Sequence, residues 1–321
     1  MKSDTLIVKE SGVRLDKYLA EKVNDISRSQ LQKHIKNGGI LVNGDIKPTN
    51  YRLSENDEIQ INISEEIVDE SYIEPENIPI NIIFEDDDLI VINKQAGLTV
   101  HPGVGNRNGT LANALAHHFK ELSDINGPTR PGIVHRLDKD TSGVIVITKN
   151  NYSHMKLAEQ FSKRMVKKMY YGITWGKWKT ESGIINEPIA RKRSDPTTYI
   201  VNIDGKVANT EYRVIGNSEY FSFVNYFPKT GRTHQIRVHS AFMGNPIIGD
   251  EKYGGGNSKI KGYIPEIIKK MNTLFTNVNR HILHAQKISF IHPRNKSEVS
   301  FNAELPNDIQ NIIESIKSFN V

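Results

Sequence analysis

Hydrophobic positions recur in two rhythms along the chain. In the first fifty residues Leu15 and Leu19, then Leu31 and Ile35, stand four apart, the spacing of one buried helix face. The first helix is expected from Arg14. Ser27-Arg28-Ser29 supplies a cap for the second and Gly38-Gly39 its end. Ile40-Leu41-Val42 then opens a strand, Asn43-Gly44 is a tight-turn signal, and Ile59, Ile61 and Ile63 alternate as in a half-buried strand. This small helix-helix-strand unit spans residues 1–64. Residues 65–79 lose the pattern. They are acidic, carry Pro75 and Pro79, and read as a linker.

From Ile80 the period is mostly two. Strands are expected at Ile80–Phe84, Leu89–Asn93, Gly143–Thr148, Met169–Trp175, Thr210–Ile215, Phe221–Tyr226, Lys287–Ile291 and Glu298–Phe301. Helices are expected at Thr110–Phe119, Tyr152–Arg164, Thr233–Met243, Pro265–Leu274 and Pro306–Phe319. Strand often follows strand, so residues 80–321 read as an α+β domain with mainly antiparallel β pairing and not as a doubly wound sheet.

Composition narrows the functions. The 321 residues are 37% hydrophobic and include no cysteine, which removes disulfides, thiol nucleophiles and cysteine-ligated metals. No apolar run approaches the roughly 20 residues of a membrane span, and MKSDTLIVKESG lacks the pattern of a secretory signal, so a cytoplasmic protein is expected. The net charge of +5 conceals an asymmetry. Residues 1–93 hold 10 Lys/Arg against 19 Asp/Glu, and residues 94–321 hold 32 against 18. The longer part therefore suits a polyanionic partner. Phosphate-loop, dinucleotide, nucleophile-elbow and zinc-helix motifs are all lacking, and His281 and His284 have no acidic neighbour, so neither cofactor nor metal is expected.

Two dense polar clusters remain. One is His135-Arg136-Leu137-Asp138-Lys139-Asp140-Thr141-Ser142-Gly143, directly before the apolar run 144–147. The other is Lys229 to His239, in which Thr233 is positioned to cap a helix and direct backbone N–H groups at an anion. Between them, Arg164 to Tyr171 runs from a basic helix end into a strand.

These three segments (HRLDxxTSG, RxVxKxY and TGRTHQIRxH), in this order, resemble the RluA family of RNA pseudouridine synthases over about residues 80–300. Gly249-Asp250-Glu251-Lys252-Tyr253-Gly254 and Leu283-His284-Ala285 match as well, whereas Gln95 stands where the family usually has proline. The N-terminal segment is similar to a small RNA-binding module first seen in a ribosomal small-subunit protein. That pairing points to the RluD-type branch, which acts on large-subunit ribosomal RNA. The resemblance implies cofactor-free conversion of uridine to pseudouridine, by cleavage of C1′–N1 and formation of C1′–C5. It makes Asp138 the essential carboxylate, acting on the sugar, the base or a sugar proton. Arg237 is its partner and Tyr170 the ring stacked on uracil, with a phenol placed to assist proton removal. Leu283 becomes an apolar wall, and Arg136 fills the space of the extruded base and contacts phosphates. Tyr171, on the opposite strand face, belongs to the core. Arg28, Lys33 and Lys36 add RNA affinity from the small module. RNA is the implied partner, and no obligate protein partner is implied. The alternatives are a non-catalytic RNA-binding ribosome-assembly protein, a synthase acting on transfer RNA, and a hydrolase using Asp138 with Asp140.

Overall fold

The computed structural model describes residues 2–23, 28–63, 73–103, 106–276 and 278–319. The chain divides into two compact units, residues 1–70 and 71–321. In the smaller, β1 (Lys2–Ile7), β2 (Ile40–Val42) and β3 (Glu58–Ile63) form an antiparallel sheet in the order β1-β3-β2. Helices α1 (Leu15–Lys22) and α2 (Arg28–Lys36) bury Leu15, Leu19, Leu31 and Ile35 in one core with Ile59 and Ile61. Asn43 (φ 55°) and Gly44 (φ 80°) make the left-handed turn that closes Val42 onto Asp45. Strand β1 had no periodic signal. It is an edge strand with Ile7 half exposed, so its composition is not that of a buried face.

The larger unit is built on one nine-stranded sheet. Its strands are β4 (Asn81–Glu85), β5 (Leu89–Lys94), β6 (Ser142–Thr148), β7 (Lys167–Trp175), β8 (Ser182–Ile185), β11 (Thr210–Asn217), β12 (Phe221–Pro228), β13 (Leu283–Ile291) and β14 (Glu298–Asn302). The order is β4-β5-β6-β13-β7-β12-β11-β8, and β14 also pairs with β13. Every pairing is antiparallel except the two-residue contact of β13 with β6. β9 (Ile189–Lys192) and β10 (Asp195–Val201) form a separate hairpin. Short, mixed-polarity segments such as SGII and IARK explain why β8 to β10 escape a periodicity reading.

Five α-helices among the described residues complete this unit: α3 (Leu111–His118), α4 (Asn151–Ser162), α5 (Gln235–Phe242), α6 (Pro265–Phe275) and α7 (Asn307–Phe319). One core joins β5, β6 and β13 to α3 and α4, and a second joins β7 and β12 to α6 and α7 around Trp175. Residues 73–79, within the expected linker, lie against α3. Asn113 Nδ2 donates to the Glu74 carbonyl at 2.8 Å, the Glu76 N–H donates to the Asn113 carbonyl at 3.1 Å, and Ile73 and Ile78 pack on the first core. Their helix contact is long-range, which a local pattern does not record.

Candidate active site

β6 is buried at all seven positions, so the polar loop before it must turn at the strand edge. Three cationic or polar anchors fix that loop from beneath. Lys94, fully buried at the end of β5, donates to the carbonyls of Gln95, Leu98 and Lys139 at 2.8, 2.9 and 3.0 Å. Burial lowers its pKa to about 7, yet three carbonyl acceptors match the three N–H groups of an ammonium. Arg280, bound bidentately to Asp308, donates to the Asp140 carbonyl at 3.0 Å. His281 Nε2 and the Thr141 hydroxyl lie 2.8 Å apart. Gly143 (φ 116°) lets β6 approach β13. A Cβ there would stand 2.2 Å from the Ala285 carbonyl oxygen.

So held, Asp138 reaches the floor of a cleft of about 450 Å³. Its Oδ2 accepts from Arg237 Nη1 at 3.1 Å. The other edge of that guanidinium is occupied: Nε and Nη2 donate to the two oxygens of Asp250 at 2.7 and 2.9 Å, and Tyr253 lies under it at 5.0 Å. Although burial opposes the charge, Asp250 and then Asp138 hold Arg237 protonated, above its ordinary value. Asp250 is 1% exposed, whereas the Asp138 side chain is 19% exposed. The inner carboxylate is thus a fixed anchor, and the outer one is offered to the cleft.

Tyr170 stands on β7 opposite Tyr226 and Ala285 and lines the same cleft as Leu283. Burial, with Asp138 adding to it, raises the Tyr170 phenol well above its ordinary value. It therefore stays protonated at neutral pH. Tyr171 faces the second core. Arg136 is exposed at the cleft rim. Asp140 does not line the cleft, and among the described residues Asp138 is the one carboxylate that does. Lys36 is exposed on α2, and the side chains of Arg28 and Lys33 fall outside those described.

The start of α5 differs from expectation. The cap position is His234, not Thr233, in left-handed conformation (φ 56°) and without a side-chain cap. The reason is Gln235, whose Oε1 accepts from the Arg232 N–H at 3.0 Å and the Thr230 hydroxyl at 2.6 Å. The loop is thereby satisfied without a hydroxyl cap, and His234 turns into the cleft. Asp250, Tyr253 and His234 have no periodic or spacing signal of their own. Asp250 meets Arg237 only because the chain returns past α5.

Six cationic residues and one carboxylate line the cleft, so its field favours a polyanion. Lys168, on the same face of β7 as Tyr170, is lowered to about 8 by burial. Among the described residues one group offers three metal-ligand atoms, Asp86, Asp88 and His292. Arg294, Ser153 and Asn150 already occupy the oxygens of Asp88, so an ion-pair network accounts for the cluster. His284 is likewise engaged, with Ser142 Oγ at 2.9 Å and the Ala303 carbonyl at 3.2 Å. No helix among the described residues is long and apolar enough to cross a membrane.

Comparison with known proteins gives concordant results. A family described as RNA pseudouridylate synthase matches residues 88–242, and the S4 domain matches residues 13–59. An uncharacterized RNA pseudouridine synthase of Chlorobaculum parvum is 42% identical over 96% of this chain and 95% of its own. Ribosomal large subunit pseudouridine synthase D of Escherichia coli is 37% identical over 98% and 94%. Among solved structures, human RNA pseudouridylate synthase domain containing 4 superposes with a TM-score of 0.53 at 26% identity, covering 74% of this chain and 93% of that one.

Proposed function

Since the chain belongs to the RNA pseudouridine synthase family, we propose that it isomerises specific uridines of large-subunit ribosomal RNA in the cytoplasm. The observation that carries this reading is the placement of Asp138. It is the one carboxylate among the described residues lining the cleft, aimed by an arginine that Asp250 immobilises, and an aromatic ring and an apolar side chain line the same cleft. Uracil, a flat neutral ring on a charged backbone, needs such a site: stacking for the ring and cations for the phosphates.

The residues of the cleft divide the work. Extruding the target base costs a few kcal/mol, which Arg136 offsets at the rim by filling the vacated stack. Tyr170 and Leu283 sandwich the uracil and keep it beside the sugar after N1–C1′ breaks, so that C5 can be turned toward C1′. Asp138 supplies the carboxylate at the sugar, and Arg237 fixes its aim. The S4 domain adds RNA affinity and no catalytic group, with Arg28, Lys33 and Lys36 on α2. The reaction rearranges bonds without net oxidation or gain of atoms, so the protein is expected to work without metal or cofactor. Asp138 with no partner carboxylate favours isomerisation over glycoside hydrolysis, which uses two.

The test is pseudouridine mapping of total RNA from cells with and without the gene, followed by conversion of a large-subunit transcript by purified protein in chelator. Loss of defined large-subunit pseudouridines in the deletion, restored by the purified protein, is the expected result. Loss confined to transfer RNA would move the substrate, and no loss would overturn the function.

A further inference from the structure

His234 also lines the Asp138 cleft. Its left-handed backbone (φ 56°, ψ 19°) is one that a residue other than glycine or asparagine holds only where its surroundings impose it. His234 Nε2 lies 3.9 Å from Asp138 Oδ2, and Nδ1 lies 2.7 Å from Tyr253 Oη. Asp138, Arg237, Asp250 and Lys252 are the charged groups around the ring, and Tyr199 and Tyr253 meet it edge-on.

The groups around the ring favour one of its two tautomers. Tyr253 Oη accepts the Tyr199 backbone N–H at 3.1 Å. Among the described residues, the acceptor bonded to the phenol's own proton is then His234 Nδ1. That leaves the proton on Nε2, facing the cleft. The opposite tautomer would have the Tyr253 oxygen accept twice and would turn the Nε2 lone pair toward a carboxylate. Burial lowers the basicity of His234, so the ring is neutral at neutral pH.

We propose that His234 is a further catalytic residue, whose neutral imidazole donates Nε2–H to the uracil as the glycosidic bond breaks and holds the charge that develops on the ring. The inference rests on the reading of this cleft as the site of uridine isomerisation. When N1–C1′ breaks, the bonding pair stays with N1 and spreads over the ring oxygens and C5. C5 then bonds to C1′. The later loss of the C5 proton and gain of one at N1 balance without oxidant, reductant or co-reactant. A donor already in place meets charge that is absent from intact uridine and present in the transition state, which is the condition for accelerating the step. A neutral imidazole suits this role, because an imidazolium would be drawn to Asp138 beforehand. Tyr253 is its positioning residue.

The test is single-turnover conversion of a large-subunit transcript by the full chain, with RNA affinity measured alongside. His234→Asn tolerates the backbone but is too short to reach the uracil. It is expected to lower the rate about a hundredfold with affinity essentially unchanged. His234→Gln returns an amide N–H near the Nε2 position and recovers part of the loss. Tyr253→Phe, which frees the tautomer, lowers the rate about tenfold alone and adds nothing to His234→Asn, the non-additivity expected of one functional unit. A wild-type rate in His234→Asn, a loss residing in affinity, or full additivity with Tyr253→Phe would each overturn the proposal. Should His234→Asn fail to fold, His234→Gly, unstrained at this φ, carries the same expectation. Asp138→Asn separates the two levels. If it is inactive while His234→Asn is normal, only this inference fails; if it is active, the reading of the cleft fails.

Discussion

Asp138 and Asp250 grip one guanidinium from two sides, and their burial assigns them different consequences. Asp250 is enclosed and bonded to both Nε and Nη2, so Asp250→Asn breaks a buried pair and is expected to cost about 3–5 kcal/mol of stability along with activity. Asp138 makes one bond at the cleft surface. Asp138→Asn should leave the melting temperature within a few degrees while lowering conversion at least about a thousandfold. Asp140→Asn should change conversion little, because the loop holds residue 140 through its carbonyl. Parallel melts and conversion assays check all three. An active Asp138→Asn, or an Asp250→Asn that melts with the wild type, contradicts the assignment. At this scale the motif resemblance singled out Asp138, Tyr170 and Arg237, and it quoted His234 and Asp250 within its motifs without assigning either a contact. Their roles depend on which side chain lies across the cleft, and no spacing along the chain encodes that.

The junction of β6 with β13 is where strand packing meets the cleft. Gly143→Ala would set a methyl group against the Ala285 backbone at a φ that alanine avoids. The larger unit is therefore expected to lose several kcal/mol of stability, read as insoluble expression or a large drop in urea midpoint. The same junction carries pH dependence. Burial lowers His281 from 6.5 to about 2, so below pH 6.5 the unfolded chain takes up a proton that the folded chain refuses. Stability contributed by neutral His281 is thus complete above pH 6.5 and falls by about 1.4 kcal/mol per pH unit as the solution is acidified. Both tryptophans, Trp175 and Trp178, lie in this unit, so urea unfolding followed by their fluorescence reads it alone. Between pH 6.5 and 4.5 the wild type should lose stability more steeply than His281→Gln, and equal slopes would show that His281 titrates normally. The long strands and helices of this unit follow the periodicity of the chain. β8 to β10 do not, since short half-exposed strands carry too few buried positions to set a period.

For the whole molecule, the two units predict separable contributions. A chain beginning at Ser71 keeps Ile73, Glu74 and Glu76, which pack on or hydrogen-bond to α3, and should fold and convert RNA. Without the S4 domain it should bind RNA more weakly, with a shallower dependence on salt and less discrimination among uridines, because fewer phosphates are neutralised. Salt-dependent binding and pseudouridine mapping of both chains check this, and identical affinity, slope and target pattern would remove the S4 domain from targeting. A chain begun at Ile80 should be less stable, having lost those α3 contacts. By itself the sequence determined the α+β class, the small module ahead of a larger domain, the charge asymmetry, and the motifs that carry the family resemblance, all of which are written in local periodicity, composition or contiguous words. Only the tertiary structure decided that Lys94 holds the Lys139 carbonyl, that residues 73–79 belong to the α3 packing, that Asp250 anchors Arg237, and that His234 turns toward Asp138. Each is a contact between groups distant in sequence or a backbone turn imposed by neighbours. Its energy comes from burial and hydrogen-bond closure, which exist only once the chain has folded.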